Sequence, residues 1–122
     1  MIRGVGTDIV EISRIEKSMN NSRFLEKNFT NSENEYFKNK KMKPQSVAAS
    51  FAAKEAFSKA LGTGVSGFFL KDVEILHREN GAPYIKLYNN AKELCGNGKI
   101  HLSLSHSKQY ATAIVVIEEE IL

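Results

Sequence analysis

The stretch Phe51-Ala52-Ala53-Lys54-Glu55-Ala56-Phe57-Ser58-Lys59-Ala60-Leu61-Gly62-Thr63-Gly64 decides how the rest of the chain is arranged. Its alanine content favours a helix, begun near Gln45 and stopped at Gly62, because glycine just past the last periodic residue is a common terminator. Phe51, Ala52, Glu55, Ser58, Lys59 and Gly62 follow helical spacing, so Glu55 and Lys59 share a face. An acid and a base set among alanines and phenylalanines, away from any charged outer face, mark this helix as a place for chemistry. A Glu55–Lys59 ion pair with a structural purpose is the plainer alternative.

The chain has 122 residues, 42% of them hydrophobic, which suits a single domain over 1–122 with an ordinary core. Its net charge of +3 fits acidic partners, phosphorylated ligands or an acidic protein, without demanding nucleic acid. The lone cysteine, Cys95, excludes an internal disulfide framework and suits a reducing compartment. The N-terminus lacks the apolar core of a secretion signal. No apolar run approaches the roughly 20 residues of a membrane span. The expected location is the cytoplasm.

Residues 2–12 alternate as a strand, with Gly6, Asp8, Val10 and Ile12 on one face. Aspartate is costly to bury in a strand without a partner. Ser13 with Glu16 reads as a capping box opening a short helix that ends near Asn20-Asn21. Arg14, Lys17, Arg23 and Lys27 make this region basic, either a solvated face or a docking surface for an acidic helix. Thr30 to Glu33 repeats the capping pattern and opens a helix through about Asn39. A basic connector with Lys38, Lys40, Lys41 and Lys43 leads to Pro44 and the central helix. Beyond it, residues 71–77 read as a strand with His77 at the surface. Asn80-Gly81 signals a hairpin into Tyr84–Leu87, followed by a brief helix over Asn89–Leu94. Strands over Ile100–His106 and Tyr110–Ile117 close the chain. The fold class is α+β: an N-terminal strand and helical block packed on a mostly antiparallel sheet.

The glycines at 62 and 64 follow a helix, whereas phosphate loops put glycines before one, where free N–H groups and the positive dipole end face the anion. An anion near Glu55 and Asp8 therefore needs the lysines or a divalent metal beside it. Two carboxylates without clustered cysteine or histidine suit magnesium, which takes oxygen ligands and shares itself with phosphates. No nucleophile-elbow spacing supports a hydrolase, and no aromatic platform among the connector lysines supports single-stranded nucleic acid.

Three blocks carry a resemblance: Gly4-Val5-Gly6-Thr7-Asp8-Ile9-Val10-Glu11-Ile12, the Phe51–Gly64 stretch, and His101-Leu102-Ser103-Leu104-Ser105-His106-Ser107 with Tyr110-Ala111. Together they resemble the holo-acyl-carrier-protein synthases, the small bacterial 4′-phosphopantetheinyl transferases. The resemblance implies transfer of 4′-phosphopantetheine from coenzyme A to a serine of apo acyl carrier protein, in fatty acid biosynthesis. It implies Mg²⁺, and a homotrimer with the active site between subunits. Asp8 and Glu55 would hold the metal, with Asp8 also a base toward the serine. Lys59 would meet the departing adenosine 3′,5′-bisphosphate and Lys54 would add positive charge. Gly62, Thr63 and Gly64 would lie against the nucleotide, His106 and Ser107 near the 3′-phosphate, and Pro83 would wall the pocket. Arg14 and Arg23 would meet the acidic helix of the carrier protein. Ser50 stands where many members carry arginine, a contact for which Lys41, Lys43 or Lys54 would substitute. The rival to an enzyme is a basic adaptor domain that binds an acidic helical partner through Arg14 and Arg23.

Overall fold

Strand β1, Ile2–Glu11, lies antiparallel to β5, Tyr110–Glu118, which pairs on its other side with β4, Lys99–His106. In this computed structural model, which describes residues 1–120, that three-stranded sheet supports one central helix. The helix is α4, Pro44–Leu61, 18 residues and so roughly 27 Å long. Proline in its first turn needs no N–H partner, and Gly62 ends it in the left-handed conformation with φ 82°. It is buried nearly all round, which explains its composition: small side chains let neighbours approach from every side.

The closest approach is made by β1. A Cβ added at Gly4 would stand 1.9 Å from the Ala60 carbonyl oxygen, and one at Gly6 would stand 2.0 Å from that of Ala56. Strand and helix thus meet backbone against backbone. Gly4, Gly6, Asp8 and Val10 face α4, as the alternation predicts, while Val5, Thr7 and Ile9 face outward. The buried wall is completed from β5 by Ala111, Ala113, Val115 and Ile117.

Between β1 and α4 lie three short helices, α1 (Ile12–Met19), α2 (Ser22–Asn28) and α3 (Asn31–Asn39). The expected capping box at Ser13 does not form. The strand runs straight into α1, Glu11 makes no side-chain cap, and the Ile12 N–H donates instead to the Gln109 carbonyl at 2.9 Å. The α2 helix is an addition to the sequence reading, capped by Asn21, whose side chain accepts from the Arg23 N–H at 3.0 Å. At α3 the box does form: Thr30 accepts from the Glu33 N–H at 3.2 Å, and Glu33 accepts from the Thr30 N–H at 2.9 Å.

After α4 the expected strand over 71–77 is shorter. Asp72 accepts from the Phe69 N–H at 3.2 Å and from the Asn89 amide at 2.9 Å, winding Leu70–Asp72 into a 3-10 turn. Strand β2, Val73–His77, then pairs with β3, Pro83–Leu87, as a separate two-stranded sheet, and α5, Asn89–Cys95, leads into β4. Among the described residues no helix is long and apolar enough to cross a membrane.

Because the Gly6 contact is with fixed backbone, Gly6→Ala should destabilise the fold by about 3 kcal/mol or more, at the upper end of overpacking costs. Denaturant unfolding checks this, and a midpoint unchanged from the parent chain contradicts it.

Candidate active site

Asp8 and Lys59 meet where β1 crosses the last turns of α4. The Lys59 ammonium donates to the Asp8 Oδ1 at 3.1 Å and to the Thr7 carbonyl at 2.9 Å. Lys59 therefore pairs across elements with Asp8; the structure shows no ion pair between Lys59 and Glu55. The Asp8 side chain is 14% exposed and that of Lys59 is 54% exposed. The other Asp8 oxygen, Oδ2, is buried and has no hydrogen-bond partner among the described residues. Such an atom is expensive to leave unmade.

Glu55, one helical turn before Lys59, completes the cluster. Burial raises its carboxyl above the ordinary value, the Asp8 charge raises it further, and Lys59 opposes both. Two carboxylates in mutual repulsion, one with a buried lone pair facing no donor, fit a hard divalent cation. No group of three histidine, cysteine or acidic side chains converges as a metal cage among the described residues. That is the donor set expected of Mg²⁺, which commonly takes one or two carboxylates and completes its shell from phosphate and water.

Lys54 is a correction. Its side chain is 0% exposed, and its ammonium donates to Glu33 at 2.8 Å and to the Leu70 and Val73 carbonyls at 2.9 and 2.6 Å. With every donor occupied inside the core it has none to offer a phosphate. Glu33 accepts in turn from the Ile75 N–H at 3.0 Å. Burial drives Glu33 up and Lys54 down from their usual values, and their attraction opposes both shifts. The pair ties α3 and α4 to the start of β2, so Lys54 is a structural anchor.

Gly62, Thr63 and Gly64 form an exposed turn just past Lys59, with φ of 82° at Gly62 and 63° at Gly64. Ser107 closes the β4–β5 turn, its Oγ accepting from the Gln109 and Tyr110 N–H groups at 3.3 and 3.2 Å. Pro83 and His106 do come together, in a cleft of about 260 Å³ whose walls include Ser50, Tyr36 and His77. His77 corrects the surface assignment: it is half-buried and stacked on Tyr36, with ring centroids 4.0 Å apart. Sequence reading missed Tyr36 altogether, for nothing local ties it to a histidine 41 positions later.

The cleft lies against β4 and the Asp8 cluster on β1, with β5 between, both on the face of the sheet that meets α4. Arg14 lines a second hollow, of about 300 Å³, with Ile9, Phe24, Phe51 and Tyr110. Arg23 is exposed at the start of α2 beside Phe24.

A family model, the 4′-phosphopantetheinyl transferase superfamily, matches residues 4–115. The chain belongs to this family. A holo-[acyl-carrier-protein] synthase of Thermoanaerobacter sp. (strain X514) is 51% identical over 116 residues, covering 92% of this chain and 84% of that protein. Another, from Clostridium perfringens (strain 13 / Type A), is 47% identical and covers 98% and 96%. Among solved structures, the Bacillus anthracis holo-(acyl-carrier-protein) synthase in complex with CoA (3′,5′-ADP) superposes with a TM-score of 0.85 at 37% identity, covering 98% of this chain and 99% of that one. The Helicobacter pylori enzyme in complex with coenzyme A gives 0.82 at 35% identity, covering 93% and 99%.

The raised Glu55 carboxyl has a thermodynamic sign in this transferase. The folded state holds that proton more tightly than the unfolded chain, so ionised Glu55 opposes folding at neutral pH. The penalty is relieved as pH falls through the raised value toward 4.5. Without metal, Glu55→Gln should therefore raise the thermal midpoint at pH 7, and the gain should vanish below about pH 4.5. Added Mg²⁺ should stabilise the parent chain and leave the variant unmoved. Scanning calorimetry reads all three, and a lowered midpoint for the variant at pH 7 contradicts the assignment.

Proposed function

We infer that this transferase moves 4′-phosphopantetheine from coenzyme A to a serine hydroxyl of apo acyl carrier protein, releasing adenosine 3′,5′-bisphosphate. The observation that carries the reading is the buried, unpartnered Asp8 oxygen beside Glu55. It is a seat for a cation, and it separates this chain from a basic adaptor, which has no use for one. The carboxylates and the negative end of α4 repel a pyrophosphate until a cation intervenes. Asp8 and Glu55 would hold Mg²⁺, which supplies charge neutralisation at the phosphates when bound.

The carrier serine attacks the phosphorus that bears the pantetheine arm, and the bond from that phosphorus to the bridging oxygen breaks. The serine proton goes to the Asp8 carboxylate. Lys59, exposed and donating a hydrogen bond to Asp8, offers its ammonium to the oxygen that leaves with the bisphosphate. The exposed turn at Gly62, Thr63 and Gly64 offers backbone to the nucleotide, His106 and Ser107 lie near the 3′-phosphate, and Pro83 walls the pocket. Cys95 is a buried free thiol, in keeping with the cytoplasmic location assigned here.

The two parts of this site stand toward opposite edges of one sheet, on β1 and β4, and a coenzyme A bound between neighbouring chains would join the β1 part of one to the β4 part of the next. The outer sheet face carries Val5, Ile9, Tyr110 and Ile114, between 41% and 63% exposed, an apolar surface suited to association. We therefore propose the homotrimer, with each site shared between neighbours. Asp8→Ala and His106→Ala chains should each lose at least about 100-fold and 10-fold, respectively, in transfer rate. Mixed after mild dissociation, they should regain part of it, since some interfaces then carry neither change. The readout is the mass of the carrier protein with coenzyme A and Mg²⁺. Full labelling by Asp8→Ala alone overturns the transferase mechanism, and no recovery on mixing overturns the shared site.

Carrier docking is assigned to Arg14, in the hollow lined by Phe24 and Phe51, and to Arg23, exposed at the start of α2. Arg14→Glu should raise the KM for the carrier about 10- to 100-fold with that for coenzyme A unchanged, an effect that weakens with salt. Steady-state kinetics in both substrates tests it, and equal changes in the two KM values would count against it.

A further inference from the structure

Two Asn-Gly pairs occur in the chain, Asn80-Gly81 and Asn97-Gly98, and the fold treats them differently. Glycine after asparagine leaves a backbone nitrogen with no Cβ beside it, the least hindered approach to the asparagine's own side-chain amide. Asn80 is exposed at the tip of the β2–β3 hairpin, where the Arg78 N–H donates to the Ala82 carbonyl at 2.9 Å. Gly81 closes the turn at φ 90°, a conformation that favours glycine, so the turn itself dictates the pairing. A Cβ added at Gly81 would meet nothing within 4 Å. At Gly98 the same Cβ would stand 2.7 Å from the Ile117 Cγ2 and 3.2 Å from both the Cys95 carbonyl oxygen and Sγ. The first peptide has room to turn toward its asparagine, and the second does not.

The Asn80 side chain is also posed for attack. Its Oδ1 accepts from the Ala82 N–H at 3.0 Å, which folds the amide back over the peptide link to Gly81. The same N–H points at the oxygen that turns negative when Cγ is attacked, so the turn carries its own oxyanion donor. One bond opposes the reaction in both places. The Gly81 N–H donates to the Arg78 carbonyl at 2.8 Å, and the Gly98 N–H donates to that of Cys95 at 3.1 Å. At the hairpin tip water can replace that bond through a local opening. At Gly98 the opening has to displace Ile117 and Cys95, both buried.

We propose that Asn80 is a site of spontaneous covalent modification, losing its amide to the Gly81 nitrogen and leaving aspartate or isoaspartate in the β2–β3 turn. The Gly81 nitrogen gives its proton to hydroxide and bonds to the Asn80 Cγ. The bond from Cγ to the amide nitrogen breaks, and that nitrogen takes a proton from water and leaves as ammonia. Water then opens the five-membered imide at either carbonyl. Opening at Cγ gives aspartate, and opening at the main-chain carbonyl gives isoaspartate, with one more atom in the backbone. Either product puts a carboxylate next to Gly81, which with Pro83 stands in the wall of the cleft that His106 shares. Among the described residues no carboxylate lines that cleft. Isoaspartate also lengthens a turn whose length sets the strand register. The chain thus carries a slow, irreversible decline in its hold on an anionic substrate. That consequence rests on coenzyme A being the donor; the modification itself does not.

The test stores the folded protein in mildly alkaline buffer, beside a sample in urea, and follows both by peptide mass spectrometry. In the folded protein the peptide carrying Asn80 should become about 1 Da heavier as ammonia is released, several-fold faster than the peptide carrying Asn97. In urea the two rates should converge, because the turn and the packing are gone. Asn80→Ser should abolish the change in its peptide. A folded-state ratio equal to that in urea, or Asn97 reacting ahead of Asn80, overturns the proposal. Asn80→Asp installs the altered charge at once. It should raise the KM for coenzyme A roughly 2- to 5-fold with kcat unchanged, an effect that fades with salt. An unchanged KM overturns the link to substrate binding. Absence of transfer by the unmodified parent overturns the transferase reading alone, since the mass change is read without it.

Discussion

The rest of the molecule depends on one contact without side chains. At Gly4 and Gly6 strand β1 presses its backbone onto the carbonyls of Ala60 and Ala56, closer than any other residue type permits. Two residues further along, Asp8 emerges from that face beside Lys59. The spacing works because strand and helix share a surface there: residues 4, 6 and 8 fall at intervals of two along β1, and residues 55, 56, 59 and 60 fall one turn apart on α4. A wider gap between strand and helix would put the Asp8 carboxylate out of reach of the Lys59 ammonium. The polar cluster therefore follows from packing, and the packing follows from the absence of two methyl groups.

Much of this was legible in the sequence. Alternation placed Asp8 on the face that proved to meet α4, and helical spacing placed Glu55 and Lys59 together. The terminator Gly62 was read at its position, with φ 82°. These are local signals, each resolved within eight residues or fewer. The α3 capping box was legible for the same reason.

What escaped the sequence was set by distant partners. Ser13 and Glu16 had the right letters for a cap, but Gln109, nearly a hundred positions away, took the first backbone donor of the helix. Lys54 looked like the twin of Lys59, yet the helix turns roughly 100° per residue, and that rotation sends Lys54 into the core while Glu55 stays at the rim. Nothing near residue 54 announces that Glu33 and two carbonyls wait for it. His77 likewise carried no local mark of its stack on Tyr36. Buried polar residues are decided by what arrives from elsewhere, so a single sequence describes them least well.

The Lys54 anchor also bears on how the enzyme comes into being. Its partners are Glu33, Leu70 and Val73, so it is satisfied only when segments spread over some forty positions of chain have docked together. Until then a charge at the middle of α4 opposes its own burial, at a cost of several kcal/mol. Glu55 is its covalent neighbour, so the cluster of Asp8, Glu55 and Lys59 takes its geometry only once the interior has closed. A chain in which those segments have not docked lacks the geometry of that cluster. Formation of the polar cluster is thereby tied to closure of the core.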